Sequence, residues 1–181
     1  MINNFLYRDN EKEFSLYIPS DVIKEHNDNP FLKNLVVTQL GYFYRKRSHY
    51  VRREGIEEYV FIYCIDGEGF LEIGNKKHTV HRGNLIFCDI NCPHVYGAIN
   101  SNPWSIHWGH FTGEGIPELF SIIGISKATP LLYIGDQPKI LNRLTEIRGK
   151  ISSGYTLINL LHASNCFLQM LCYLIELKVS L

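Results

Sequence analysis

The residues able to do chemistry in this chain are concentrated between positions 45 and 111. Two histidine pairs, His78 with His81 and His107 with His110, are each three apart. That spacing would bring both rings to one side of a helix, but on a strand it sends them to opposite faces, so neither pair reads as a chelate. Cys88 and Cys92 are four apart with no second cysteine pair at zinc-finger spacing, so buried thiols are the expectation rather than structural zinc. The run from Trp104 to Phe111 alternates: Trp104, Ile106, Trp108 and His110 share one strand face, and Ser105, His107, Gly109 and Phe111 the other. Five basic side chains fall within residues 45–53 (RKRSHYVRR), but a strand would splay them to both faces, and no helix-turn-helix pattern accompanies them.

The elements that must hold these residues are short. LVVTQLGYFY, RSHYVRRE, EYVFIYCI, GFLEIG, KKHTVH, NLIFCDI and WSIHWGHF are rich in β-branched and aromatic residues and are punctuated by Asp66-Gly67, Gly74-Asn75 and Arg82-Gly83. Such a series predicts a sandwich or small barrel. Residues 59–65 (YVFIYCI) are apolar on both strand faces, so one face should meet the opposite sheet and the other a layer of helices. Three helices are predicted for that layer: PELFSIIG ending at Gly124, about Gln137 to Lys150, and about Ser153 to Val179. Residues 151–175 carry no Asp, Glu, Lys or Arg, yet Asn159, His162, Asn165 and Gln169 recur along one side, which favours a helix buried on most sides over a membrane span.

Composition narrows the function. The 181 residues are 45% hydrophobic and 20% charged, with 18 basic and 18 acidic side chains, so no overall positive field draws this chain to nucleic acid. Five cysteines and an amino terminus without a basic-then-apolar run point to a reducing, cytoplasmic setting.

The order Gly67-Glu68-Gly69, strand, Arg82-Gly83, Cys92-Pro93-His94-Val95-Tyr96 resembles the cupin superfamily, whose second motif is roughly G-x5-P-x-G-x2-H. Gly83 and His94 match it, while Asp89 and Asn91 replace the Pro and Gly. With Arg52, the Glu58 to Gly69 run and Trp108-Gly109-His110-Phe111, the chain is similar to the ligand-binding and dimerisation domain of AraC-type transcription regulators over about residues 35–115. This resemblance implies a mainly β fold with C-terminal helices: an N-terminal arm (1–34), a cupin-like barrel (35–115) and a helical dimerisation segment (116–181). Enzymatic cupins place a metal on His-x-His and Glu before the first hairpin glycine. Here those positions fall on residues 53–56 and Val60, none of them His or Glu except Glu54, so a binding domain without metal, cofactor or chemical step is expected. The alternative is a metal-dependent small cupin enzyme, an isomerase or dioxygenase.

In sugar-sensing members of the resembled family the ligand lies inside the barrel, against an aromatic ring and an arginine. The resemblance carries the arginine to Arg52, with Arg53 one residue away as competitor, the tyrosine to Tyr96, the tryptophan to Trp108 and the motif histidine to His94. The family's pocket histidine is here Ile106, which argues against arabinose itself but not against a saccharide or other small polar effector. The last helix pairs with its twin in the family, so Leu161, Leu168, Leu171 and Ile175 are the expected homodimer contacts, and the arm is expected to close over the pocket. AraC-type regulators bind DNA through two helix-turn-helix motifs in about a hundred further residues, which should follow Leu181 in a longer protein.

Overall fold

A computed structural model describes residues 13–26 and 28–179. Its strands and helices follow in the order β1 (Phe14–Tyr17), α1 (Ser20–Glu25), α2 (Pro30–Asn34), β2 (Val36–Phe43), β3 (Tyr50–Arg53), β4 (Tyr59–Asp66), β5 (Glu68–Ile73), β6 (Lys76–His81), β7 (Asn84–Cys88), β8 (His94–Ala98), β9 (Ser105–Thr112), α3 (Ile116–Ile123), β10 (Leu131–Tyr133), α4 (Pro138–Ser152) and α5 (Leu157–Val179). The strands form two antiparallel sheets, a six-stranded β1-β2-β9-β4-β7-β10 and a four-stranded β3-β8-β5-β6. This is the mainly β, two-sheet barrel with C-terminal helices that the strand series implied.

The chain crosses between sheets at tight turns. Gly67, at φ +70°, links β4 of one sheet to β5 of the other, and a Cβ there would lie 2.4 Å from the Pro103 carbonyl oxygen. No other residue satisfies both the left-handed backbone and the close approach.

Two cores result from the alternation. Val60, Ile62 and Cys64 of β4 point into the barrel with Leu71, Val80, Ile86, Trp104 and Ile106, whereas Tyr59, Phe61 and Tyr63 point to the helices with Phe87, Phe111 and Phe167. The doubly apolar run at residues 59–65 is thus covered on both faces, by the opposite sheet and by helices. Phe61, Phe111 and Phe167 carry this second interface, with ring centroids 4.6 Å apart for Phe111 and Phe167 and 5.2 Å for Phe61 and Phe167.

Three strands were absent from the sequence reading. β8 lies within the motif around His94, β10 pairs with β7 from within the helical segment, and β1 pairs with β2. The residues read as an arm therefore include an edge strand of the larger sheet and, through the buried Leu32 of α2, part of its core. Asn29 caps α2, its side-chain oxygen accepting from the amides of Phe31 and Leu32. Residues 1–12 of the expected lid lie outside the described residues.

Helix α5 begins at Leu157 rather than Ser153, because Ser153 closes α4 and Gly154 adopts φ +114°. By length and composition it could cross a bilayer, but here it lies against β2, α2, α3 and α4. Its docking corrects one expectation. Leu171 is completely buried in its own chain and is unavailable to a partner, while Leu161 and Ile175 are half-buried against the same core and Leu168 remains exposed. A helix with a wide apolar face turns its centre to its own barrel and leaves only the margins outside.

Candidate functional site: a polar cavity in the barrel

Between the two sheets lies a cavity of about 340 Å³, lined by Tyr17, Gln39, Phe43, His49, Val51, Arg53, Tyr96, Ile106, Trp108 and His110. That volume falls in the range of small-molecule sites. Larger hollows lie elsewhere on the molecule, but the barrel cavity has two buried nitrogens without a partner in its lining, Arg53 Nε and Trp108 Nε1.

Strand β9 supplies the back wall. Ile106, Trp108 and His110 face the cavity, as the alternation implied, and Trp108 is the ring around which the others are arranged. Its indole lies on the backbone of β2 at Gly41, where a Cβ would come within 2.3 Å of the ring. Phe43 lies 5.4 Å away, His110 5.9 Å and Tyr17 of the edge strand 6.3 Å, centroid to centroid. The Trp108 indole nitrogen is buried and donates to no described group.

Strand β3 supplies the guanidinium, and here the sequence expectation is corrected. Arg52 projects outward, 67% exposed, and its Nε donates to Glu54 at 2.9 Å. Arg53, opposite His94 in the β3–β8 register, is the arginine that lines the cavity. A one-residue difference in strand phase exchanges the inner face for the outer. Arg53 Nε is buried without a hydrogen-bond partner.

Tyr96 lines the cavity from β8, and burial raises its hydroxyl pKa, with the charge of Arg53 opposing. His94 stands behind it, not on the cavity wall, its ring stacked on Tyr96 at 5.8 Å with planes 13° apart. Its Nδ1 is 2.7 Å from the Cys92 carbonyl, which can only accept, so the proton is on Nδ1 and the buried Nε2 is a lone pair without a partner. Burial keeps this ring neutral, its pKa lowered despite the carbonyl's pull.

Four polar residues escaped the sequence reading as site residues: Gln39, His49, Glu58 and His110. Glu58, just before β4, accepts from His110 Nδ1 at 2.8 Å and from Gln39 Nε2 at 3.1 Å, both on the same carboxylate oxygen. Burial alone would raise the Glu58 pKa; the hydrogen bond from His110 and the nearby positive charge of Arg53 outweigh it and hold the carboxyl below its usual range. His49 accepts at Nδ1 from the Trp104 indole N–H at 3.1 Å, which assigns its proton to Nε2. Burial, aided by the charge of Lys46, lowers its pKa to about 4. The alternation placed His110 beside Trp108, but nothing in the spacing linked it to Glu58, 52 residues earlier. Among the described residues no three His, Cys, Asp or Glu side chains gather at metal-ligating range.

This cavity sits inside a recognised sequence framework: residues 36–164 match the family described as the AraC-like ligand binding domain. The chain belongs to that family. As an AraC-like ligand-binding domain it is also similar to the MmsAB operon regulatory protein of Pseudomonas aeruginosa, with 29% identity over 163 residues, 88% of this chain and 53% of that protein. The domain thus spans about half the length of that curated relative. Among solved structures it is similar to a cupin protein from Bacteroides fragilis (12% identity, 60% of this chain and 82% of that one, TM-score 0.41). It is also similar to a Cupin 2 conserved barrel domain protein from Leptotrichia buccalis (19% identity, 57% and 43%, TM-score 0.35).

Proposed function

We propose that this chain is the effector-sensing part of a cytoplasmic AraC-type regulator, that it binds a small polar molecule of the saccharide class in the barrel cavity, and that it acts by binding alone, without a cofactor. The observation that carries the reading is the pairing of Arg53 with Trp108 in one cavity, each with a buried nitrogen that finds no partner. An indole offers its face to the C–H surface of a pyranose, and a guanidinium, an amide and imidazoles offer hydrogen bonds to its hydroxyls. The regulatory relative, of which this domain covers about half, supports control of DNA binding by further segments of a longer protein. Effector binding would shift that control only through affinity that differs between two arrangements of the domain.

A homodimer is part of the proposal. Ile158 is 60% exposed and Leu168 37%, on the outer side of α5 beside Leu161, and Phe31 of α2 is 73% exposed next to them. Such a patch suits a self-complementary contact.

The test is tryptophan fluorescence, since Trp104 and Trp108 are the chain's two tryptophans, titrated with a saccharide panel and repeated as a thermal shift. A saturable response that disappears in Trp108→Ala and Arg53→Gln supports effector sensing. A flat response in both assays overturns the saccharide reading.

A further inference from the structure

The polar atoms around the cavity are unequally matched. Arg53 is the one permanently charged residue in the lining, and no aspartate or glutamate faces it there. Arg53 interacts with the Tyr96 hydroxyl and its charge is felt by Glu58, but among the described residues it makes no close ion pair, and its Nε is buried with nothing to donate to. The Trp108 indole N–H is in the same position. The indole of Trp104 donates to His49 Nδ1 and so fixes the His49 proton on Nε2. Two buried donors without a partner, Arg53 Nε and Trp108 Nε1, thus belong to the lining.

The nearby carboxylate does not answer them. Glu58 stands outside the lining, held back by Gln39 and His110, which both line the cavity and both donate to its Oε2. These two hydrogen bonds, one of them from a side chain that is itself 3% exposed, keep one oxygen of the acidic group occupied outside the cavity lining. Phe43, Val51 and Ile106 supply apolar wall between the donors, which weakens solvent screening and strengthens any charge pairing made inside.

We infer that the cavity selects an anionic effector, a small hydroxy acid or sugar acid whose carboxylate is taken by Arg53 and by the Trp108 indole N–H, while Gln39 and His110 hold the Glu58 carboxylate outside the cavity lining. A guanidinium with a buried unsatisfied nitrogen and no close ion pair is unfavourable until an anion arrives, and a carboxylate can meet its planar fork with two parallel bonds. This inference rests on the reading of the cavity as the effector site and narrows its ligand class.

The experiment compares acids with neutral counterparts of similar shape on the 181-residue chain: D-galacturonate with D-galactose, D-gluconate with D-glucitol, and lactate with lactamide, read by tryptophan fluorescence and calorimetry. The expected result is saturable binding of the acid in at least one pair, with the neutral compound weaker by roughly 10- to 100-fold. That preference should vanish in Arg53→Gln and persist in Arg52→Gln, whose parent side chain points outward. Arg53→Met provides a ligand-free readout: removing a cation that has a buried unsatisfied nitrogen and no close ion pair should leave the apo protein at least as stable to heat as the parent, and a clear loss of stability would show that Arg53 is already satisfied and overturn the inference. Neutral compounds binding as tightly as their acids would overturn the charge selection while leaving effector sensing in place. Binding of neither class would overturn both.

Discussion

His110 and Glu58, 52 residues apart in the chain, meet beside the barrel cavity with Nδ1 donating to Oε2 at 2.8 Å, the imidazole 3% exposed and the carboxylate 27%. The bond joins the last long strand of the barrel to the loop entering β4, and Gln39 of β2 donates to the same oxygen. Three segments of the larger sheet's cavity face therefore meet at one carboxylate.

That junction makes the fold sensitive to acid. The folded-state pKa of Glu58 lies below the usual 4.5, so its contribution is present above that pH and is lost as the pH falls through the folded value. Glu58→Gln is expected to cost about 1 kcal/mol at pH 7, partial exposure limiting the effect, and to flatten the loss of stability below pH 4.5. Urea unfolding between pH 7 and 3.5 measures both.

His107 brings a second pH dependence, beginning at higher pH, from the opposite face of β9. It lies against Tyr42, with centroids 4.9 Å apart, and burial, aided by the charge of Arg148, lowers its pKa from 6.5 to about 3. The unfolded chain takes up this proton from pH 6.5 downward while the folded chain refuses it, so stability falls as the pH drops below 6.5. By pH 5 the loss should reach roughly 2 kcal/mol. Denaturation midpoints for His107→Phe, measured at pH 7 and pH 5, should differ less than those of the parent.

The seat of Trp108 on Gly41 predicts a site defect from a methyl group. Gly41→Ala places a Cβ about where the indole already is, 2.3 Å from its nearest atom, so the ring must leave the β2 backbone. We expect a shifted tryptophan emission, weakened effector response and a destabilisation of roughly 1–3 kcal/mol, checked by emission spectra and thermal unfolding.

Helix α5 should separate folding from assembly. Leu171→Ala, at a fully buried position, is expected to cost about 2–5 kcal/mol whether or not the chain dimerises. Leu168→Glu, at a position 37% exposed, should leave the unfolding midpoint nearly unchanged and convert a dimer to a monomer in sedimentation at tens of micromolar protein. A parent chain that is monomeric at that concentration removes the dimer from the proposal.

Much of this architecture was legible in the residues because period-2 patterns report directly on faces. YVFIYCI said that β4 is covered twice, and W-S-I-H-W-G-H-F said that Ile106, Trp108 and His110 look the same way. The missed strands β1 and β10 are short, four and three residues, and carry too little alternation to stand out. They become strands because a neighbouring edge, β2 or β7, offers backbone partners, which no local pattern announces.

What the sequence by itself determined is the series of strands, their two-faced character, the helical cover and the resemblance that carried Tyr96 and Trp108 to the cavity. Only the tertiary structure decided that Arg53 rather than Arg52 enters it, that His94 stands behind Tyr96, that Leu171 is core, and that Glu58 is held by His110 and Gln39. The reason is common to all four. Alternation and helical period fix which residues share a face, whereas the register between distant strands and the rotation of a docked helix choose which face turns inward, and both are set by contacts across the whole fold.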